Sequence, residues 1–366
     1  EDEEARFVVS ELKRLHRHEA VNWREMAVFY RANAQSRVLE ERLIDGDIPY
    51  RVVGGTKFYD RKEVKDAVAY LRCVMNPADE VSIRRVVNVP KRGVGDTSVD
   101  KVAALAAAQS IGLSIALRRA ESAGVGGAAL RGIKEFVSLV DSLADEVVHG
   151  PAHLLRELLE RSGYLAELRN EDTIESQGRL ENLDELVAAA EEFPDANDFL
   201  EKVSLVSDTD ELAGDDKVMM MTLHAAKGLE FPSVFIIGME EGVFPHSRSL
   251  LDSTQMEEER RLAYVGITRA RELLHVSHAE SRSLYGNTQY NPPSRFLEEI
   301  PDELFRNEGR INAFGGGRRE DRESRWSNRS FSDEFTDRQA DAAIAAGKRN
   351  EPTPQGTISD FRIGED

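Results

Sequence analysis

The sequence is poor in cysteine and in long apolar runs. A single cysteine, Cys73, excludes an internal disulfide and fits a reducing, cytoplasmic environment. We predict that Cys73 is half-buried on a helix, with a disulfide between two copies of the chain as the alternative. No apolar run is long enough to cross a bilayer, so we expect no membrane partner, and the acidic first residues do not form a signal peptide.

Negative charge outweighs positive charge in the sequence. The chain has 48 Lys and Arg against 67 Asp and Glu, a formal net charge of −19. This balance argues against a protein that coats nucleic acid through its bulk charge. A local basic track stays compatible with it, because salt screens distant surface charges.

The P-loop pattern Gly-x-x-x-x-Gly-Lys-Ser/Thr is absent from the sequence. Lys227 and Gly228 stand in the reverse order and do not replace it. Because a P-loop cradles the β- and γ-phosphates of a nucleotide, this chain is expected to supply groups to a nucleotide that another part of the protein holds.

The chain of 366 residues is long enough for two domains. Strand-like runs and helical segments alternate near both ends, which predicts an α/β fold with a parallel sheet. The strand-like runs are 26–30, 48–53, 218–222, 233–239 and 273–279, and the helical segments include 2–18 and 257–271.

Between the two α/β parts, apolar residues at helical spacing predict a helical block with a packed core. We therefore expect one α/β domain made of residues 1–50 and 215–300, with the helical block inserted between them. Residues 306–366 are low in apolar content, which predicts a disordered linker or tail.

Three loops that follow predicted strands carry many polar side chains. Ligands of parallel α/β sheets bind beyond the carboxyl ends of the strands, so this set indicates a polar or anionic ligand. Each residue alone is weak evidence, because loops after strands are usually polar. The side chains are Arg31, Asn33, Thr222, His224, Lys227, Glu230 and His246.

Two arginines, Arg269 and Arg271, lie near the end of the predicted helix 257–271. A cation at a helix C-terminus complements the helix dipole, and the spacing alone favours this interpretation. The functional alternative is an arginine finger, which offers a planar positive charge to a transferring phosphoryl group.

A turn in the helical block combines two cations with two glycines. Lys91 and Arg92 precede Gly93 and Gly95, and residues 97–100, which begin with Thr97, match a capping box. Exposed amides at a helix N-terminus beside cations can bind the phosphates of duplex DNA, as in a helix–hairpin–helix. A plain turn between helices explains the pattern equally well.

Several segments closely resemble the UvrD/PcrA-type superfamily 1A DNA helicases. Residues 218–250 and 257–273 are similar to motifs V and VI of that family, and residues 30–43, 54–72 and 291–297 also resemble it. The resemblance covers roughly residues 1–305. It implies a RecA-like motor domain without a P-loop, called 2A and made of residues 1–48 and 213–305, with the mostly α-helical domain 2B, residues 49–212, inserted.

The same resemblance implies that this chain is the C-terminal half of such a helicase. The missing N-terminal domains would hold most of the ATP and Mg²⁺. Arg269 would be catalytic at the γ-phosphate, while Glu230 and Gly228 would contact the nucleotide. No residues of this chain are expected to bind a metal on their own.

The resemblance also implies two sets of DNA contacts. Single-stranded DNA would contact Arg31, Asn33, Thr222, His224 and His246, and Tyr285 would stack on the first base pair of the duplex. Domain 2B would hold the duplex through Lys91, Arg92, Gly93, Gly95 and Thr97.

The implied function is ATP-dependent 3′→5′ translocation and unwinding of forked DNA in repair, chiefly nucleotide excision repair. Repair proteins and RNA polymerase are the implied partners, and the fragment alone is expected to be inactive. One alternative is a regulatory module that binds DNA or protein and dimerises through 2B at Cys73. Another is a nuclease-coupled recombination helicase, which the lack of a C-terminal carboxylate cluster disfavours.

Overall fold

The computed structural model describes residues 1–207, 214–284, 287–306 and 357–362. The strands are β1 Met26–Tyr30, β2 Tyr50–Val52, β3 Val218–Thr222, β4 Phe231–Ile236, β5 Ala270–His278, β6 Arg282–Leu284, β7 Asn287–Gln289, β8 Phe305–Arg306 and β9 Thr357–Arg362. The α-helices are α1 Asp2–His18, α2 Ser36–Asp45, α3 Lys62–Met75, α4 Glu80–Val86, α5 Asp96–Gln109, α6 Leu113–Leu117, α7 Gly127–Leu143, α8 Pro151–Arg161, α9 Tyr164–Glu171, α10 Ile174–Glu191, α11 Ala196–Ser207, α12 Ser253–Ile267 and α13 Arg295–Glu298.

The central sheet contains five parallel strands in the order β2-β3-β1-β4-β5. β1, at its centre, is buried at all five positions, as its unbroken apolar sequence predicts for a strand covered on both faces. β9 pairs antiparallel with β5, and β8 pairs antiparallel with β9. The predicted α/β class is confirmed.

Alternate residues of the strands enter two separate hydrophobic cores, one on each face of the sheet. Ala27 and Phe29 of β1 pack in a core with Leu262 of α12. Val28 of the same strand packs on the opposite face with Leu12 of α1. Helices therefore cover the sheet on both sides.

The helical block has its own core, which extends from Phe58 to Val206. α3 passes through its centre and carries Cys73, which is 2% exposed. Burial raises the pKa of the Cys73 thiol to about 12. The expectation of a half-buried thiol is therefore corrected to a buried one, and a disulfide between two copies at this residue does not fit the fold. Across the described ranges, every helix is too short or too polar to span a membrane.

A buried polar network joins the sheet to the helical block. Arg61 donates from Nη1 to the Asn33 carbonyl oxygen at 3.1 Å and to Asn182 Oδ1 at 2.8 Å, and from Nη2 to Ser36 Oγ at 2.7 Å. Nearby, the Glu40 carboxylate on α2 accepts a 3.1 Å hydrogen bond from the backbone N–H of residue 58. These bonds fix the position at which the chain leaves the sheet.

Some predicted boundaries differ from the structure. β2 pairs with β3, so the sheet extends past the predicted boundary at residue 48. The helix predicted for 257–271 is α12, which spans Ser253–Ile267. Within the predicted disordered tail, Thr357–Arg362 forms a strand of the sheet, while residues 307–356 and 363–366 lie outside the described residues.

Candidate functional site

The predicted site residues lie at opposite edges of the parallel sheet. Arg31 follows the last residue of β1, and Thr222 ends β3, so both lie at the carboxyl edge. Phe231 and Ala270 pair at the beginnings of β4 and β5. Glu230 immediately precedes Phe231, so it lies at the amino edge, which corrects the prediction that it lies beyond a carboxyl end.

Residues 223–230 explain this difference because they connect the carboxyl end of β3 to the amino end of β4. The segment crosses from one edge of the sheet to the other. Gly228 lies near its end with φ +87, and a Cβ atom there would meet nothing within 4 Å. The turn is therefore open to a ligand at the amino edge.

Arg269 lies at the same amino edge, two residues after the end of α12, and its side chain is half-buried. Its Nε donates to the Val265 carbonyl oxygen at 3.0 Å, its Nη1 to the Leu229 carbonyl oxygen at 3.2 Å, and its Nη2 to Thr268 Oγ1 at 3.0 Å. All three acceptors are uncharged. No carboxylate of the described residues forms an ion pair with Arg269.

The guanidinium of Arg269 therefore has only uncharged partners among the described residues, beside the C-terminus of α12. The bond to the Val265 carbonyl fits the helix-dipole interpretation. The same bonds leave the charge uncompensated and hold the guanidinium at a surface, as an anion-binding role requires. The two interpretations are compatible in this geometry.

Arg271 has a different environment. It belongs to β5 and not to a helix, and its Nε lies 3.1 Å from Oε2 of Glu230 in an exposed ion pair. An exposed pair of this kind contributes little to stability, so the Glu230 carboxylate remains accessible to a ligand hydroxyl. Lys227, in the segment that connects β3 to β4, is also exposed.

At the carboxyl edge, Arg31 pairs with Glu259 of α12. Nη2 of Arg31 lies 2.7 Å from Oε1 of Glu259, and Nε lies 2.9 Å from Oε2. Burial alone would raise the pKa of Glu259, but hydrogen bonds from Arg31 and the backbone N–H of His246 hold it below the usual value. Arg31 is therefore held at this edge by a carboxylate.

The two histidines of the predicted set lie at this edge as well. Although His224 reaches the surface, partial burial of its ring together with the nearby Arg31 guanidinium lowers the pKa of its imidazole. His246 is half-buried, and its Nε2 lies 3.6 Å from Oε1 of Glu181 on α10. The His246 loop thus contacts the helical block.

The remaining residues of the carboxyl edge present small polar groups. Thr222 is half-buried, and its Oγ1 accepts a 3.3 Å hydrogen bond from the backbone N–H of Ala225. Asn33 is exposed, and its carbonyl oxygen is occupied by Arg61. The structure therefore brings Arg31, Asn33, Thr222, His224 and His246 to one edge of the sheet.

In the helical block, Arg92 differs from its prediction as a phosphate contact. Its guanidinium donates to the carbonyl oxygens of Val89 at 2.9 Å and Ser162 at 3.1 Å, and to Tyr70 Oη at 2.7 Å. The side chain therefore stabilises the interior of the block, and we correct its assignment to a structural one.

The rest of the turn is open. Lys91, Gly93, Gly95 and Thr97 are exposed. The predicted capping box does not form, because α5 begins at Asp96 with Gly95 as its N-cap and no side-chain cap. This leaves backbone amides at the start of α5 without side-chain acceptors, as a phosphate contact requires.

Two further predictions concern Tyr285 and a metal site. Tyr285 lies outside the described residues. Over the described ranges, no group of His, Cys, Asp and Glu could hold a metal ion.

Sequence reasoning missed Glu259 and Glu181. Glu259 had a signal in the sequence, because it lies three residues after Met256 and three before Leu262 on the apolar stripe of α12. A charged residue at such a position usually has a partner. Glu181 had no comparable signal, since its contact with His246 joins residues far apart in the chain.

Comparison with known proteins decides the family. Residues 1–281 match the model of the UvrD-like helicase C-terminal domain. The chain belongs to this family. The resemblance to UvrD/PcrA-type helicases is thereby confirmed.

The relatives are bacterial helicases. The ATP-dependent DNA helicase PcrA of Bacillus subtilis is 45% identical over 318 residues, which cover 83% of this chain and 43% of the relative. PcrA of Staphylococcus aureus is 45% identical with 84% and 43% covered, and PcrA of Staphylococcus epidermidis is 44% identical with 83% and 43% covered. The chain spans less than half the length of these relatives.

Proposed function

We propose that this UvrD-like chain is the C-terminal half of an ATP-dependent DNA helicase that moves 3′→5′ along single-stranded DNA and unwinds forked duplexes. Its biological role in this proposal is DNA repair, chiefly nucleotide excision repair, with repair proteins and RNA polymerase as partners. The observation that carries the proposal is the half-buried Arg269, bonded to three uncharged oxygens at the edge of the sheet.

In this proposal the amino edge faces ATP, which is the substrate. Arg269 would neutralise negative charge on the terminal phosphate, and the backbone and Thr268 bonds would hold its guanidinium in place before the nucleotide arrives. The exposed carboxylate of Glu230 suits a ribose hydroxyl, and the open turn at Gly228 leaves room beside it.

Mg²⁺ would be held mainly by the N-terminal domains of the helicase, where it would stabilise charge on the phosphates. The described part of this chain has no carboxylate cluster suited to a metal. Its contribution at the nucleotide is therefore a cation and hydrogen bonds, which complement a phosphate-binding domain that carries a P-loop.

The carboxyl edge would contact single-stranded DNA. Arg31 offers a cation there, and Nη1 of its guanidinium has no partner among the residues that the structure describes. The lowered pKa of His224 favours a neutral ring at pH 7, which suits hydrogen bonding and stacking on a base. Asn33, Thr222 and His246 add polar contacts without sequence preference.

The helical block would hold duplex DNA through the turn that precedes α5. Lys91 supplies a cation, and Gly93, Gly95 and Thr97 allow phosphates to approach the backbone. Tyr285 would stack on the first base pair at the fork. The inward position of Arg92 removes it from this set.

An unwinding assay tests the proposal in the full-length helicase that contains this chain. DNA duplexes with a single-stranded 3′ tail, a 5′ tail or no tail are compared with and without ATP. We expect unwinding of the 3′-tailed duplex alone and only with ATP, and no ATP hydrolysis by this chain by itself. Binding of all three DNAs without ATP-dependent unwinding would instead favour a DNA-binding regulatory module.

A further inference from the structure

Glu259 is a charged residue on the buried face of α12. It is 5% exposed, and the other buried residues of this face are Met256, Leu262, Ala263 and Gly266. A buried carboxylate is strongly unfavourable unless hydrogen bonds and an opposite charge compensate it. The Glu259 carboxylate therefore needs partners that compensate its buried charge.

Those partners come from two different loops at the carboxyl edge. Arg31, directly after β1, forms a two-pronged ion pair with the carboxylate, with Nε to Oε2 at 2.9 Å and Nη2 to Oε1 at 2.7 Å. The backbone N–H of His246, in the loop after β4, donates to Oε2 at 3.0 Å. One side chain of α12 thus holds both loops.

The same helix leads to the amino edge. α12 ends at Ile267, and Arg269 follows two residues later. At a rise of about 1.5 Å per residue, the helix from Glu259 to Ile267 is roughly 12 Å long. A hydrogen-bonded helix of this length transmits a displacement of Glu259 to Arg269 with little internal change.

We propose that Glu259 is a positioning residue that couples DNA contact at Arg31 and His246 to the placement of Arg269 at the nucleotide. This inference rests on the proposed function. A DNA phosphate that binds Nη1 of Arg31 leaves Nε and Nη2 on Glu259, so it fixes the guanidinium, the carboxylate and α12 together. DNA binding then orders the helix that presents Arg269.

The substitution Glu259→Gln tests the coupling, because it keeps the shape of the side chain and removes its charge. Arg31 remains able to bind DNA, but the amide has one acceptor oxygen in place of two, so the two-pronged ion pair that ties Arg31 to α12 is lost. We expect the ratio of DNA-stimulated to unstimulated ATP hydrolysis to fall about tenfold or more. The affinity for a single-stranded thymidine oligonucleotide should stay within about threefold of wild type, since no DNA contact is removed.

Glu258→Gln is the matched control on the same helix. Glu258 is 65% exposed and pairs with Arg261 at the surface. Its substitution should leave the ratio within about twofold of wild type. In the double variant Arg31→Ala and Glu259→Gln, the ratio should equal that of Arg31→Ala, because the two residues act as one unit.

The measurements use the full-length helicase, with oligonucleotide affinity determined by fluorescence anisotropy. A Glu259→Gln ratio equal to that of wild type overturns the inference, as does a parallel fall of affinity and ratio, which indicates general damage. If the Gln variant does not fold, Glu259→Asp replaces it, with a lower ratio expected and an unchanged ratio contradicting the coupling. Absence of DNA stimulation in the wild type contradicts the proposed function itself.

Discussion

Arg37 and Glu185 form a buried ion pair that joins the sheet to the helical block. Nε of Arg37, on α2, lies 2.6 Å from Oε1 of Glu185, on α10, and the two side chains are 7% and 5% exposed. Burial outweighs the attraction of Arg37 and raises the pKa of Glu185. The pair is therefore costly to bury, but breaking it leaves a charge without compensation.

We predict that Arg37→Ala lowers the free energy of unfolding by about 3–5 kcal/mol, because Glu185 is then buried alone. The double variant Arg37→Met and Glu185→Leu should recover most of this loss, since it removes both charges. Urea denaturation of this chain measures both changes. A loss for Arg37→Ala no larger than that for the exposed Arg261→Ala would contradict the prediction.

Two helical glycines give a matched pair of substitutions. A Cβ at Gly132 of α7 would lie 2.3 Å from the Arg92 carbonyl oxygen, which is backbone and cannot move without shifting the turn before α5. A Cβ at Gly178 of α10 would meet nothing within 4 Å. We therefore expect alanine to destabilise the fold at Gly132 and to stabilise it at Gly178.

Gly132→Ala should lower the free energy of unfolding by about 1–3 kcal/mol, despite the better helix propensity of alanine. Gly178→Ala should raise it by up to about 1 kcal/mol. In the full-length helicase, Gly132→Ala should also weaken binding to blunt duplex DNA, which a gel-shift titration measures. Equal stability of the two variants would show that α7 does not pack against the turn as described.

Glu40 predicts a pH dependence of stability. It is 2% exposed, and burial raises the pKa of its carboxyl above the usual 4.5, although hydrogen bonds from Ser36 and the backbone N–H of Phe58 lower it in part. Because the folded-state pKa is raised, the contribution of Glu40 to stability is complete below the unfolded pKa. It is lost as the pH rises through the folded pKa.

The stability of the wild type relative to Glu40→Gln should therefore fall between pH 4.5 and neutral pH. Thermal melts of both proteins across this range measure the difference, and the exposed Glu258→Gln serves as control because its difference should stay flat. If the stability of the wild type relative to Glu40→Gln instead increased with pH, the folded-state pKa of Glu40 would be lowered and not raised.

The α/β class and the central strands could be predicted from the sequence. β1 and β3 match the predicted runs 26–30 and 218–222, because each is apolar and bounded by polar residues. The helical block could also be predicted from the sequence, since apolar residues at helical spacing pack the core around α3. Local patterns were sufficient for these elements.

Other features depend on partners that are distant in sequence. α12 ends at Ile267, before Arg269, because Ala270 pairs with Phe231 and begins β5. Arg92 points inward because Ser162, 70 residues away, accepts one of its hydrogen bonds. Local residue patterns contain no information on such contacts, so the roles of these arginines needed the structure.

We propose that Arg269 offers its positive charge to the phosphates of a bound nucleotide. In the full-length helicase, ATP hydrolysis by Arg269→Ala should fall about 10³-fold or more, while oligonucleotide affinity stays close to wild type. Arg261→Ala, on the exposed face of α12, is the matched control and should hydrolyse ATP at the wild-type rate. Wild-type hydrolysis by Arg269→Ala would show that this arginine does not act on the nucleotide and would leave it a partner of the α12 dipole.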